Sequence, residues 1–361
     1  MTDPTRLSPF IEPAAVEAWD AWFRWRHHAH LCDVSIDDTW RRVADALAAV
    51  ESEDGRALWF GRFLDVLATW QLLPDERLLA AAGTGPTPWH GETLDAVLNL
   101  AAFVATDRDD TKRIDPVDVA QVAEVAVRML DNAALLAGVT APRLRIGLTG
   151  VADALALLGC GYDDDAGRVL VAAWARALAE GSFAASAELA LERGATGGAI
   201  PAIERAILRG FAPDVVRAAH HHGLRHRQLT AIVPHPRLAL LANDVADALD
   251  PLQDAPHPRT IIAPPGDGRT MYSSGCALNV LQTGGSRADA APATLAALPW
   301  SAQIRMRAAV QPWMDEPIAY HLLFTAEPDA QQVVEMSQQA AVLGLAAPTW
   351  RIVAGGGRAA S

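Results

Sequence analysis

The chain has 361 residues, of which 51% are hydrophobic and 20% charged, and its formal net charge is −13 at pH 7. That length predicts one large domain or two smaller ones, with ample apolar residues for a core. Nucleic-acid binding relies on basic residues that neutralise phosphates. The acidic balance and the lack of a long basic run therefore argue against a nucleic-acid partner.

The cysteines and the N-terminal stretch indicate a reducing compartment. Cys32, Cys160 and Cys276 lie far apart and form no C-x-x-C motif. They therefore do not build an even disulfide framework. The N-terminal stretch lacks the charged and then apolar pattern of a signal peptide, and no run reaches the ~18 apolar residues of a spanning helix. We expect a cytoplasmic protein with no membrane partner.

Residues 1–85 are predicted to form an N-terminal helical region. A proline near the start favours a helix over residues 13–28, and two more helices are predicted between Asp37 and Trp70. Four aromatic residues crowd one side of the first helix: Trp19, Trp22, Phe23 and Trp25. Such a stripe is typical of helix packing, with stacking on a base or a cofactor as the less favoured alternative.

Residues 86–354 form the second predicted region. Asp115-Pro116 opens a long amphipathic helix. The stretch 144–195 is predicted to be a helical hairpin, because apolar residues from Ile146 to Leu158 recur at helical spacing before Gly159. Further elements are predicted in the order helix 202–209, helix 213–222 and strand 229–233.

The remaining chain is predicted to begin with a Pro- and Gly-rich loop, 254–286, that includes a hairpin. Four regular elements follow: helix 305–315, strand 320–325, helix 333–344 and strand 349–353. Residues 355–361 are predicted to be a disordered tail.

Residues 144–195 begin L-R-I-G-L-T-G-V-A-D-A-L-A-L-L-G and end A-S-A-E-L-A-L-E-R-G-A. These motifs resemble the large catalytic subunit of ribonucleotide reductases, most nearly the adenosylcobalamin-dependent class II type. Other segments keep the family's order, among them D-D-T-W-R-R-V-A from Asp37 and L-P-D-E-R-L-L from Leu73. The resemblance implies an α-rich α/β fold with an N-terminal helical bundle (1–85) and an incomplete remnant of the family's ten-stranded α/β barrel (86–354).

The resemblance also implies that an internal block is missing. A short turn-rich stretch at residues 83–90 leads directly to G-E-T-L-D-A-V-L-N-L-A-A-F-V at 91–104. In the family, half of the barrel lies between the matching segments and carries the finger loop with the catalytic N-x-C-x-E motif. This sequence contains no N-x-C-x-E, and the reducing cysteine of the family's G-E-[ST]-C-N-L falls at Leu94.

A third departure lies at the turn that holds substrate phosphate in the family. The P-T-G-T-I-S turn of the family uses hydroxyls and free backbone N–H groups at a helix N-terminus. Here it reads P-H-P-R-L-A from Pro234, and Pro236 has no N–H to donate. His235 and Arg237 are the candidate substrate- or anion-binding residues, and an altered, non-binding turn is the favoured alternative.

Two further sets of residues are weaker candidates. Cys276 is a candidate catalytic thiol because it is predicted between a loop and a strand, although nothing near it in sequence lowers its pKa. His222 and His226 would share a helix face and suit a metal if the helix continued, but Gly223 indicates that it ends there. Solvated histidines at helix ends are the favoured interpretation, both here and at His27 to His30, so we predict no metal site.

The sequence leaves three functional hypotheses open. The leading one is a ribonucleotide reductase-like pseudoenzyme that lacks the redox cysteines and acts as a binding, regulatory or complex-forming protein. The alternatives are an enzyme with repurposed thiol or histidine–metal chemistry, and a reductase fragment completed by a second chain. Unpaired strands of a partial barrel favour a homodimer or a protein partner. The cofactor is unknown; the resemblance alone implies adenosylcobalamin, and a nucleotide is left open as a ligand.

Overall fold

The computed structural model describes residues 10–28, 30–85, 87–89, 93–107, 109, 111–140, 142–263, 266, 268–283 and 291–353. The tail predicted at residues 355–361 lies outside these ranges. Within them the fold is mixed α/β and rich in helices, with small sheets and no closed barrel. No helix in the described part of the chain has both the length and the apolarity to cross a membrane.

The first elements are α1 (Pro13–Trp22), β1 (Arg26–His27), β2 (His30–Leu31), α2 (Ile36–Ala48) and α3 (Glu53–Ala68). The prediction that the first helix reaches His28 is wrong. The chain leaves the helix at Phe23 and forms a two-residue hairpin in which His27 pairs with His30. The predicted helix-end histidines therefore lie on this hairpin. A capping box of Ser35 and Asp38 then starts α2.

The central sheet is built from the next elements: β3 (Leu72–Pro74), α4 (Glu76–Ala81), β4 (Thr93–Asn99), β5 (Ala105–Thr106), β6 (Lys112–Arg113), α5 (Pro116–Leu136) and β7 (Arg143–Thr149). Its strand order is β3–β4–β7. β3 is antiparallel to β4, and β4 is parallel to β7. The helix α5 supplies the crossover that a parallel pair of strands requires. This is the long amphipathic helix that the sequence predicts after Asp115.

The predicted helical hairpin at 144–195 is wrong in its first part, because residues 144–149 belong to the strand β7. Helical structure begins only with α6 (Val151–Leu157) and continues, after a turn, in α7 (Asp165–Arg193). Leu144, Ile146 and Leu148 are buried on one face of β7. Gly147 and Thr149 are buried on the other face, so the strand is covered on both sides. A short apolar run of this kind is not distinguished from a buried helix by periodicity. Gly147 also marks a close contact, because a Cβ there would lie 2.5 Å from the carbonyl oxygen of Ala231.

The chain continues with α8 (Ile200–Leu208), α9 (Pro213–His222) and α10 (Pro236–Leu241), so the two helices predicted in this stretch are confirmed. The strand predicted over 229–233 is reduced to one parallel bridge between Thr230 and Ile146. This segment still covers the free edge of β7. On its far side the Asp315 carboxylate accepts the backbone N–H groups of Leu229 (3.0 Å) and Thr230 (3.3 Å).

The last elements are β8 (His257–Ile262), β9 (Gly268–Ser273), α11 (Cys276–Thr283), α12 (Trp300–Val310), β10 (His321–Phe324), α13 (Ala330–Val342) and β11 (Thr349–Ile352). The predicted hairpin is confirmed as β8–β9, and the closing helix–strand–helix–strand order is confirmed as α12 to β11. The setting predicted for Cys276 is wrong, because this residue begins α11 rather than a strand.

One apolar core joins both predicted regions. It includes Trp40 and Phe63 of the N-terminal helices, Leu94 of β4 and Trp174 of α7, each at most 1% exposed. All of β3 and, apart from Thr93, all of β4 are buried. The described strands of the central sheet are therefore covered by the chain's own helices and loops.

The closest helix contact in the core joins α5 and α7 at Gly181. A methyl group added at Gly181 would overlap the carbonyl oxygen of Ala120. We expect Gly181→Ala to lower the free energy of unfolding by about 2 kcal/mol, because overpacking outweighs the better helix propensity of alanine. Urea denaturation followed by circular dichroism measures this change.

The matched control for this prediction is Gly61→Ala in α3, where the added methyl group meets nothing within 4 Å. Helix propensity should then raise the stability by about 0.5–1 kcal/mol. Equal stabilities of the two variants would contradict the close packing of α5 on α7.

Candidate functional site

A cavity of about 370 Å³ lies between α10, the β8–β9 hairpin and the start of α11. Its apolar wall includes Leu240, Val245, Leu252 and Leu278. Its polar groups come mainly from the loop after α10 and from the hairpin. A concave apolar pocket with a few convergent polar groups is the usual form of a small-molecule site.

The loop after α10 has an unusual backbone. Asn243, Asp244 and Ala248 adopt positive φ angles of 64°, 57° and 50°. Asparagine and aspartate tolerate this left-handed region, whereas alanine is strained there by about 1 kcal/mol or more. The side chain of Asn243 fixes the loop, because its Oδ1 accepts the backbone N–H of Ile11 at 2.8 Å. Strained backbone held by its surroundings is often found at functional sites.

Asp153, in the first turn of α6, holds two backbone segments beside the cavity in place. Its carboxylate accepts the backbone N–H of Ala246 (2.7 Å) and that of Ala277 (2.9 Å). One side chain therefore joins the cavity loop to the start of α11. Burial raises the pKa of Asp153 to about 6, against the lowering effect of these two hydrogen bonds.

Asp244 organises the side of the cavity formed by β8. Its carboxylate lies 2.8 Å from Nε2 of His257 and accepts a 2.7 Å hydrogen bond from Nε of Arg259. Burial alone would raise the pKa of Asp244, but the hydrogen bond to His257 and the charge of Arg259 outweigh it and lower the pKa below its ordinary value. Asp244 is therefore an ionised carboxylate with both oxygens engaged.

Asp247 and Asp250 behave differently. Burial raises the pKa of Asp247 to about 7, although its Oδ1 accepts the backbone N–H of His235 at 2.9 Å. Burial also raises the pKa of Asp250, against the opposing charges of Arg307 and Arg351. Near neutral pH, Asp247 is therefore divided between its protonated and ionised forms, so it can donate or accept a hydrogen bond.

Three guanidinium groups surround the cavity. Arg259 lines the cavity and binds Asp244 through Nε, and its Nη1 makes only a 3.5 Å contact to Gln253 among the described residues. Arg351 reaches Asp250 only at 3.9 Å and is 56% exposed. Arg237 lies over the ring of Trp22 at 4.9 Å. Because the carboxylates are engaged or partly protonated, the unengaged N–H donors favour an anionic group.

Only one of the two residues predicted to bind an anion lines this cavity. Arg237 does so and also lies 3.5 Å from Glu76. His235 borders a neighbouring open depression, with its Nε2 3.8 Å from Asp95. Burial lowers the pKa of His235, against the opposing charge of Asp95, so the ring is mainly neutral at pH 7. The role of both residues stays a prediction.

Cys276 lies beside the cavity but is not part of its lining, which includes Gly275 and Leu278. Its backbone N–H contacts the carbonyl oxygen of Asp244 at 3.4 Å. Burial raises the pKa of the Cys276 thiol far above its ordinary value, and Asp153 adds to this effect. Because the thiolate is the nucleophile, a protonated buried thiol is a poor catalytic group.

The structure places His222 and His226 in different environments. The helix α9 ends at His222, which is exposed, and Gly223 has a φ of 76°. The favoured prediction that His226 is a solvated helix-end residue is wrong, because its side chain is buried. Its Nε2 lies 3.1 Å from Asp131 and its Nδ1 lies 3.2 Å from the hydroxyl of Ser186. Both ring nitrogens are therefore engaged.

The chain Ser186–His226–Asp131 contains the residue types of a hydrolase triad but lies inside the core. All three side chains are at most 1% exposed, and none of them lines the cavity beside α10. Asp131 also binds Arg193 and Arg225. We interpret this chain as a structural network, because a substrate cannot reach its hydroxyl.

Sequence reasoning missed the acidic and basic residues of the cavity loop and of β8. Asp244, Asp247 and Asp250 recur every third residue after α10, and this spacing was the available signal. His257 and Arg259 carry no such signal in the sequence, because they contact Asp244 only after the hairpin folds back on the loop.

Part of this chain is similar to known proteins. The family model described as "Ribonucleotide reductase, barrel domain" matches residues 95–260, which include β4, β7 and the cavity loop. Two curated proteins of Mycobacterium tuberculosis, from strains CDC 1551 / Oshkosh and ATCC 25618 / H37Rv, are each named vitamin B12-dependent ribonucleoside-diphosphate reductase. Each is 29% identical over 243 residues, which cover 59% of this chain and 32% of the relative.

The chain thus spans about a third of the length of the curated relatives it matches. The matched family model, the relatives and the preserved order of motifs all point to the same origin. Residues 95–260 thus match the barrel-domain family of ribonucleotide reductases, and the chain is similar to vitamin B12-dependent reductases.

Proposed function

We propose that this chain is a ligand-binding member of the family that does not reduce ribonucleotides. In this proposal the cavity beside α10 holds a small anionic molecule with an apolar body. The proposal rests on two features seen together: Leu94 replaces a cysteine in the sheet, and three guanidinium groups surround the cavity. The first supports the absence of reduction and the second supports binding.

The loss of redox chemistry is argued from Leu94. This residue stands where the family's G-E-[ST]-C-N-L motif has a reducing cysteine, and it is fully buried in β4. An aliphatic side chain carries no electrons to a substrate. Cys32 and Cys160 belong to the N-terminal hairpin and to the turn after α6, and Cys276 is protonated. The described part of the chain therefore does not bring a set of reactive thiols to the cavity.

The chemistry of the ligand is argued from the charges at the cavity. Arg259 and Arg351 present N–H groups that no described carboxylate holds at short range. Planar guanidinium groups match phosphate and carboxylate geometry. Nucleotides are the first candidates, since the matched relatives are named for ribonucleoside diphosphates. In that case Asp247, with its pKa near 7, would face the ligand as a donor or an acceptor.

The residues present do not fit adenosylcobalamin, which the family resemblance implies. The cavity measures about 370 Å³, at the small end of pockets for drug-sized ligands, and a corrin is far larger. The thiol that would receive a radical from the cofactor is also missing from the lining of the cavity. We therefore derive no step through this cofactor.

The two other hypotheses receive less support. A fragment completed by a second chain would offer unpaired strands, but the described strands of the central sheet are covered by α3, α5 and the segment around Thr230. A repurposed thiol or histidine–metal enzyme would need an ionisable thiol or a free imidazole. Cys276 and His226 offer neither.

Native mass spectrometry and calorimetry test the binding proposal with CDP, ADP and inorganic diphosphate as probes. We expect at least one probe to bind with a Kd below about 1 mM and to bind more weakly at high salt. We expect Arg351→Gln to raise that Kd about tenfold or more, because a charge-assisted hydrogen bond is lost.

The control variant is Arg56→Gln. Arg56 is an exposed arginine of α3 whose ion pair with Asp45 lies far from the cavity in the fold. It should leave the Kd unchanged. Failure of all three probes to bind at millimolar concentration, or equal binding by both variants, would contradict the proposal.

A further inference from the structure

A second concave surface lies between α3, α5 and α7. We call it the α5 groove. It encloses about 680 Å³, with α5 as its floor and with α3 and α7 as its walls. It shares no residue with the cavity beside α10. An inference from it therefore does not depend on the ligand of that cavity.

The floor of the α5 groove has the pattern of one helix face. Asp118, Gln121, Val122, Val125 and Arg128 follow each other at helical spacing. This face is about 15 Å long, since about ten residues rise ~1.5 Å each. Val125 of α5 and Trp59 of α3 supply the partly exposed apolar surface of the groove, whereas Val66 and Leu189 are buried. The α5 groove is therefore long enough to hold about three turns of a fourth helix.

The rim of the α5 groove is acidic. Five carboxylates line it, against two guanidinium groups: Asp65, Asp118, Glu124, Glu188 and Glu192, against Arg62 and Arg128. Arg128 is held by Glu51 and Glu192, each at 2.8 Å. Arg62 lies over the ring of Trp59 at 4.8 Å. The groove therefore keeps an excess of negative charge that its own arginines do not neutralise.

Glu124 and Glu188 face each other across the groove, one from α5 and one from α7. Neither forms a salt bridge in the described part of the chain, and both are exposed. Burial by the groove walls and the charge of Glu188 both raise the pKa of Glu124. Two like charges held in one groove are destabilising, and a positively charged group placed between them would relieve the repulsion.

We propose that the α5 groove is a docking site for a basic amphipathic helix of a partner protein. The apolar residues of that helix would lie on Val125 and Trp59, which are partly exposed, and its Lys or Arg side chains would lie between the carboxylates of the rim. This is the helix-in-groove mode of recognition, with charge complementarity setting the partner. A second copy of this chain is disfavoured as the occupant, because each copy carries a net charge of −13.

Fluorescence anisotropy of the full chain tests this proposal with a labelled peptide of about 18 residues, leucine and lysine at helical spacing. A peptide of leucine and glutamate with the same pattern is the matched probe of opposite charge. We expect the basic peptide to bind and its Kd to rise about tenfold or more between roughly 50 and 300 mM salt, since the rim charges are exposed. The acidic peptide should not bind.

The location is tested by the double variant Glu124→Lys/Glu188→Lys. Both residues are exposed, so the fold should tolerate the change, and we expect the Kd of the basic peptide to rise about tenfold or more. Glu204→Lys, at an exposed position of α8, is the control and should bind like the original chain. Equal binding by the two variants would overturn the proposal.

Two other results would also overturn it. Spermidine could displace the basic peptide at equal charge concentration, which would assign the groove to small polycations. Sedimentation could instead show a dimer that the double variant dissolves, which would assign the groove to a second copy.

Discussion

Replacing Asp131 by alanine is expected to lower the free energy of unfolding by about 3–5 kcal/mol, because breaking a buried ion pair leaves uncompensated charge in the core. Asp131 is fully buried in α5. Its carboxylate binds Arg193 at 2.5 Å, Arg225 at 3.0 Å and His226 at 3.1 Å. These partners come from α7 and from the segment before Thr230, so the network joins the helix layer to the edge of the sheet.

Urea denaturation measures this loss, with Asp45→Ala as the control. Asp45 pairs with Arg56 on the surface, where both side chains are more than half exposed. An exposed pair contributes little, so the control should change stability by less than about 1 kcal/mol. A similar small loss for Asp131→Ala would show that the buried network does not hold the helices to the sheet.

The same network predicts acid sensitivity. Burial would raise the pKa of Asp131, but His226 and Arg193 outweigh it, and the pKa lies far below its ordinary value. The pKa of Glu51, bound to Arg128, Asn132 and Arg193, is likewise lowered to about 2. A carboxylate whose pKa falls on folding stabilises the protein above its unfolded pKa near about 4, and this stabilisation is lost as the pH falls further. Asp131→Ala should therefore flatten the loss of stability below about pH 4.

Replacing Asp153 by asparagine is the second change with a large expected effect, and its size depends on pH. The amide has one acceptor oxygen, whereas the carboxyl group of Asp153 has two oxygens, one for each N–H of Ala246 and Ala277, and its hydroxyl oxygen can still accept when the group is protonated. At about pH 4 we expect a loss of about 2–3 kcal/mol, because one buried N–H faces an NH₂ group.

At about pH 8 the loss from Asp153→Asn should be smaller or absent. The pKa of Asp153 is about 6 in the folded chain, above its ordinary value of 3.8. A group whose pKa rises on folding stabilises the protein fully below its unfolded pKa and loses that contribution as the pH rises through the folded value. About two pKa units correspond to about 3 kcal/mol, and asparagine does not share this loss.

Urea denaturation at about pH 4, 6 and 8 measures the difference between the original chain and the Asp153→Asn variant, in which all other titrations cancel. Asp165→Asn is the control, since this residue is exposed at the start of α7. A pH-independent difference for Asp153→Asn would contradict a buried, pKa-shifted carboxyl at this position. The cavity beside α10 should also change its shape in this variant, because one of the two backbone segments that Asp153 holds is released.

The helices were accessible from the sequence because their signals are local. Asp115-Pro116 starts α5, and Gly223 ends α9, as their cap residues indicate. β7 was not accessible in this way, since Leu144 to Leu148 form a short apolar run whose strand character depends on β4 lying beside it. The central sheet could be predicted only through family resemblance, because its pairing is long-range.

The candidate site was accessible only in part for the same reason. Arg237 was found because it lies in the turn that matches the phosphate-binding P-T-G-T-I-S turn of the family it resembles. Asp244 and Arg259 meet because β8 folds back on the cavity loop over 15 residues, and no local pattern records that contact. The burial of a side chain is likewise not evident from local sequence, since nothing in the residues around His226 distinguishes a buried imidazole from a solvated one.

The central claim is that this chain binds a small anion without reducing ribonucleotides. The most direct test is an anaerobic assay of the purified chain with adenosylcobalamin, a dithiol and radiolabelled CDP or ADP, beside a vitamin B12-dependent reductase as the positive control. We predict no deoxyribonucleotide above the blank without protein, although the nucleotide binds. Deoxyribonucleotide formation that scales with the concentration of the chain would contradict the account.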